Sequence, residues 1–177
     1  MADANHMIGE AIVASARLGL GYADRLLTGV DPSQFARFAN VGGTTVESNH
    51  PCFILGHLSL YPSRIVSDLG GDASSIQATA AFDKAFSKDA KCVDDTDGTI
   101  YPAMGDVVDA FRASHELAID TLLSASDDLF YAENPNEAMR GKFPTVGAMH
   151  AFYVSGHLMV HMGQFSAWRR MMGMGAA

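Results

Sequence analysis

Apolar residues recur at intervals of three or four through four long stretches of this chain, and no run alternates cleanly between apolar and polar. That period belongs to helices with one buried face, not to strands. In the first stretch, 4–28, Ile8, Ile12, Ala16, Leu20 and the pair Leu26 and Leu27 share a stripe, and Gly29 with Asp31-Pro32 supplies the stop. The second opens at Asn49-His50-Pro51, where proline suits the first helical turn, and runs to Leu69 before Gly70-Gly71. Pro62 cannot donate to the Leu58 carbonyl, so a kink is expected just after His57. The third, 101–125, aligns Met104, Val108, Phe111, His115, Ala118 and Leu122. Thr145 is a good N-cap for the fourth, which reaches about Met172. Segments 31–49 and 127–144 read as polar connections. Segment 70–101 reads as a long crossing with a short helix near 78–86. Four long helices and one crossover predict an all-α bundle, a single domain over residues 1–177.

Composition narrows the function. A chain of 177 residues, 48% hydrophobic and 18% charged, can bury a sizeable core without disulfide staples. Its net charge is −8 and its pI about 5.2. Nucleic acid and anionic membranes are therefore poor partners, because phosphate binding needs a basic face. No apolar run approaches the ~20 residues of a membrane span, and no basic segment precedes an apolar run as in a secretory signal. Cys52 and Cys92 stand far apart and read as thiols in a reducing compartment. A cytoplasmic protein is the expectation.

The chemistry lies in the histidines. His157 and His161 sit four apart in the fourth helix, which stacks two imidazoles one turn apart on one face. Both can then reach one ion, and imidazole is a frequent ligand for zinc, nickel, copper and iron. Two ligands are too few for a tight site. His57 is the best third candidate, because it lies mid-helix in an apolar setting where an unpaired ring is costly. The alternative is three hydrogen-bonded core rings. Two familiar metal patterns fail. His115-Glu116 has Ile119 where a zincin needs its second histidine, and Glu47-Ser48-Asn49-His50 is a lone Glu-x-x-His where a di-iron bundle needs two.

Three pieces of sequence carry a resemblance: Gly56-His57-Leu58, then His157-x-x-x-His161-x-Gly163-Gln164, then Trp168-Arg169-Arg170-x-x-Gly173. In order and separation, over nearly the whole chain, they resemble the DinB/YfiT-like superfamily of small bacterial metal-binding bundles. The resemblance implies an up-down-down-up four-helix bundle with a long crossover between helices 2 and 3. It implies one divalent ion on His57, His157 and His161, with positions left open. Zinc or nickel heads the candidates, then iron or manganese. Characterised relatives include thiol-dependent transferases and isomerases, so a low-molecular-weight thiol is an expected cosubstrate. The reading is a metal-dependent transferase or hydrolase acting on a small molecule as a homodimer. The competing reading is a non-catalytic, stress-associated metal-binding dimer.

Around the ion, His115, Tyr153 and Tyr61 are the catalytic candidates. His115 occupies a core-facing place on the third helix, where a buried ring bonded to a carbonyl is the first reading and a general base the second. His150, Tyr153, Gln164 and Trp168 share the stripe of the histidine pair on a regular helix. Gln164 can orient a ligand imidazole, and Arg64, two turns beyond His57, can meet an anion or simply be solvated. Gly156 and Gly163 suggest a close helix approach, inside the bundle or at a dimer contact, Cys52 a core thiol, and the methionines of the fourth helix adaptable packing.

Overall fold

The structure is a computed structural model and describes residues 5–177. The start of the first predicted helix, at residue 4, lies outside them. Helix α1 spans Met7–Leu27 and buries Ile12, Val13, Ala16, Ala23 and Leu26. Its first turn has no local side-chain cap. Instead the Ile8 N–H donates to Asp127 Oδ1 at 2.9 Å, so a carboxylate from a distant loop meets the positive end of the helix.

The 31–49 connection is not merely polar. It holds a hairpin of β1 (Ala39–Val41) and β2 (Thr44–Val46), paired antiparallel with Val41 opposite Thr44. Gly42 and Gly43 both take positive φ, +59° and +85°, as a two-residue primed turn requires. The Gly-Gly pair flanked by short β-prone runs was the signal for it.

The predicted second helix is two helices. Helix α2 (Pro51–Leu58) is capped by His50, whose Nδ1 accepts from the Phe53 N–H at 3.1 Å. Helix α3 (Pro62–Asp68) restarts with Pro62 in its first turn. The missing N–H of proline thus ends one helix and begins another. Helix α4 (Ala80–Phe86) matches the short crossover helix, and Thr79 caps it by accepting from the Phe82 N–H. Helix α5 covers Met104–Ser124. The loop predicted over 127–144 includes α6 (Asp127–Tyr131). The fourth predicted helix comprises α7 (Val146–Ala151), a π-helical segment Phe152–His157 and α8 (Leu158–Met171). Its N-cap is Thr145, as expected, accepting from the Ala148 N–H at 3.2 Å.

Two apolar clusters form the interior. One gathers Ala23 and Leu26 of α1, Phe53 to Leu55 of α2, Val107 to Phe111 of α5 and Leu158 to Trp168 of α8. The other gathers Ile12 to Ala16 of α1, Ile65 and Val66 of α3, Ala118 to Leu122 of α5 and Val146 to Val154. Helices α1 and α5 cross from one cluster to the other unbroken. The chain through α2 and α3, and the chain through α7 and α8, cross at their interruptions. The closing Trp168-Arg169 pair ties the fold shut. The Trp168 indole N–H donates to the Arg37 carbonyl at 2.8 Å, and the Arg169 guanidinium donates to the Leu26 and Thr28 carbonyls at the end of α1. Those are carbonyls the helix cannot satisfy itself.

Within the chain, no close helix approach falls at Gly156 or Gly163. A Cβ at Gly163 would meet nothing within 4 Å, and one at Gly156 would meet only Phe152 of its own segment. Against α8 the crowded glycine is Gly19 of α1, where a Cβ would stand 2.6 Å from the Leu158 side chain. Small residues on the partner helix, not on α8, set that contact. No helix among the described residues is long and apolar enough to cross a membrane.

Candidate metal centre

Both interruptions fall where the chemistry was expected. His57 lies at the end of α2, one residue before the break, and His157 at the junction of the π segment with α8; His161 follows one turn later. Their ligand nitrogens all lie within 4.8 Å of one another. His157 Nε2 and His161 Nε2 stand 3.1 Å apart. Two imidazole nitrogens bound tetrahedrally at 2.0–2.1 Å would be separated by roughly 3.3 Å, so this spacing suits a shared small divalent ion.

The far side of each ring decides which nitrogen is free. His57 donates Nδ1–H to the Phe86 carbonyl at 2.8 Å, which turns the Nε2 lone pair toward the centre, where it accepts from the Tyr61 hydroxyl at 3.1 Å. The carbonyl is held close because Gly56 leaves room for Phe86: a Cβ at Gly56 would lie 2.5 Å from that ring. His161 donates Nδ1–H to Gln164 Oε1 at 2.8 Å. Asn49 Nδ2 donates to the same oxygen at 3.2 Å, which orients the Gln164 amide with its acceptor toward the histidine. The Nδ1 of His157 is buried without a partner.

Burial holds all three rings neutral, the form that binds metals. It lowers the His57 pKa against the Phe86 bond, which raises it. It lowers that of His161 against the Gln164 bond. His157 is pushed down to about 4, by burial first and then by its two neighbouring imidazoles. Donor type, spacing and protonation therefore all fit a three-histidine metal site.

Tyr61 completes the immediate surroundings. Its hydroxyl lies 3.1 Å from His57 Nε2 and its ring packs edge-on to His157 at 4.6 Å between centroids. Burial, and then Tyr153, raises its pKa, so it is a phenol that keeps its proton. A cleft of about 890 Å³ opens beside the triad, walled by Tyr61, Phe152, Tyr153 and His157, with Arg64 and Asp68 of α3 farther along.

The other sequence candidates separate cleanly. Tyr61 and Tyr153 line the cleft; His115 does not. It is buried on α5 with Nδ1 donating to the Phe111 carbonyl at 2.8 Å, the core ring of the first reading. Gln164 contacts His161 as expected. Trp168 is fully buried in the first cluster, away from the cleft, and Cys52 and Cys92 are free buried thiols whose pKa values burial raises. His150 does not share the cleft face with Tyr153. The π segment holds more residues per turn than an α-helix, so a stripe read straight back from His157 turns away from it. Missed altogether were the Phe86 carbonyl and Asn49. Phe86 ends α4 and Asn49 precedes α2, and only tertiary packing brings them to the imidazoles.

Compared with models of known protein families, with curated proteins and with solved structures, the chain matches none.

Proposed function

We propose that the chain is a metal-dependent enzyme of the DinB/YfiT-like type, binding one divalent transition-metal ion on His57, His157 and His161. Transferase chemistry with a thiol cosubstrate is the leading class and hydrolysis the second. The observation that carries the reading is the convergence of three neutral imidazoles whose nitrogens crowd within 4.8 Å beside an open cleft. An up-down-down-up bundle is part of the proposal. In support, α1 and the α7–α8 chain pass from the second apolar cluster to the first, while the α2–α3 chain and α5 pass the other way.

When bound, the ion supplies Lewis acidity that lowers the pKa of a thiol or water and polarises an electrophile. The protein's own groups do the rest. Phe86 and the Asn49–Gln164 pair fix the orientation of two rings, the kind of outer support that sets metal affinity. The Tyr61 hydroxyl donates to His57 Nε2 at 3.1 Å; with that nitrogen given to an ion, its proton would be free to hydrogen-bond a nucleophile or substrate oxygen. Phe152 and Tyr153 supply apolar wall on that side of the cleft.

Elemental analysis of purified protein tests the centre, with zinc or nickel expected first and iron or manganese next. Wild type should carry close to one transition-metal ion per chain and His157→Ala almost none. Equal metal content in the two would overturn the site. Cobalt-substituted protein presented with thiols and electrophiles tests the reaction. A thiol-dependent change in the cobalt spectrum is expected. No change with any thiol would remove the transferase reading, and no turnover of any electrophile or ester would leave a metal-binding bundle.

A further inference from the structure

The metal centre uses one end of the cleft and leaves the other unexplained. Asp68, the last residue of α3, lines that far end with a side chain 19% exposed. Among the described residues its carboxylate accepts no hydrogen bond. Burial raises its pKa and the charge of Arg64 acts the other way; behind it stands His150, whose Nε2 lies 3.6 Å from Asp68 Oδ2. His150 is fully buried, neither ring nitrogen has a hydrogen-bond partner, and burial pushes its pKa down to about 4. At neutral pH it therefore brings Asp68 no positive charge. Arg64, one turn before Asp68 on the same helix, lines the same cleft, is exposed, and makes no ion pair among the described residues. The cleft's other cation, Lys88, is closed onto Asp89 at 2.9 Å.

The cleft wall thus carries a carboxylate and a guanidinium that make no hydrogen bond or close ion pair with another side chain among the described residues, the kind of convergent polar groups by which a pocket orients a ligand. The charges say which. Asp68 repels an anion and Arg64 repels a cation, so neither alone fits both. Residues four apart on a helix hold their Cβ atoms about 5–6 Å from each other. That separation admits a molecule with opposite charges on adjacent atoms, hydrogen-bonded at both ends. We propose that the cleft binds a small molecule bearing an α-amino-acid head, with its ammonium on Asp68, its carboxylate on Arg64, and the rest of it lying along Tyr61, Phe152 and Tyr153 toward the three histidines. His150 stands behind the carboxylate, its Nε2 3.6 Å from Asp68 Oδ2 and beyond hydrogen-bond distance. The guanidinium can hold the carboxylate by two parallel hydrogen bonds. The proposal rests on the metal reading only for where the body of the ligand points; the head contacts no metal ligand.

Glutathione is a suitable probe, since its γ-glutamyl end carries ammonium and carboxylate on one carbon and its thiol is several bonds away. Cobalt-loaded protein is titrated by calorimetry and absorption with glutathione, with its desamino analogue and with its analogue lacking the γ-glutamyl carboxylate. Glutathione should bind at least about tenfold tighter than either analogue. Asp68→Asn should erase the preference over the desamino form alone, and Arg64→Gln the preference over the descarboxy form alone. Equal affinities of all three for wild type would overturn the head site, and a spectral change common to all three would leave the thiol reading standing. Preferential heat with an unmoved cobalt spectrum would do the reverse. Absence of any binding would overturn both. Arg64 is exposed, so its variant decides the matter even if Asp68→Asn does not fold.

Discussion

Two sets of three histidines share the same ring and a similar shelter from water, yet are arranged differently. In the set His50, His115 and His150 the rings stand apart. His50 spends both nitrogens, one capping α2 and one donating to the Val93 carbonyl at 3.0 Å. His115 satisfies one nitrogen within its own helix. In the set His57, His157 and His161, two rings are likewise held by acceptors on Nδ1, but their other nitrogens meet. A bare imidazole nitrogen is common to both sets. Convergence is not, and convergence is what binding one ion on three rings requires.

The comparison can be broken most forcefully at a ligand. His161→Ala should weaken metal binding at least about a thousandfold, or ~4 kcal/mol, as one share of the binding energy of a multi-ligand site; competition with a chromophoric chelator measures it. Metal affinity within tenfold of wild type would place His161 with the structural rings.

Acid should expose the structural set next. His50, His115 and His150 are each held uncharged by burial, with pKa about 4 in the fold against 6.5 ordinarily. Between those values the unfolded chain binds more protons, so their contribution is complete above about pH 6.5 and is lost as pH falls through about 4. Each is worth up to roughly 3 kcal/mol over that range. Urea unfolding of metal-free protein from pH 7.5 to 4 should show the fall, and His115→Phe should make it shallower.

A smaller effect sharpens the role of the acceptors. Gln164→Leu strands the His161 Nδ1–H and should cost about 10–100-fold in metal affinity, while Gln164→Glu, which keeps an oxygen there, should recover most of it. The smallest effect is expected at His115→Phe: unchanged metal content, and stability at neutral pH within about 1.5 kcal/mol of wild type by urea melt.

Much of this was legible in the residues. The helical stripes, the Thr145 cap and the disturbance at Pro62 follow from local chemistry, and the three histidines from spacing plus the cost of an unpaired ring in an apolar helix. What could not be read needed contacts distant in sequence. Asn49 reaches Gln164 across 115 positions, and Asp127 caps α1 across 119. The π segment defeated the stripe argument for His150, because periodicity assumes a regular helix. The Gly42-Gly43 hairpin was a local signal read too coarsely.

The two interruptions have a mechanical consequence. Helices α1 and α5 run past the level of the imidazoles like rails, while the two lengths of chain that carry the imidazoles are jointed there. Any tilt between the ends of the molecule is taken up at those joints, and the distances among the three rings change with it. A cation gripped by all three would pin one joint to the other, so loading the site should stiffen the whole body as well as equip it for chemistry.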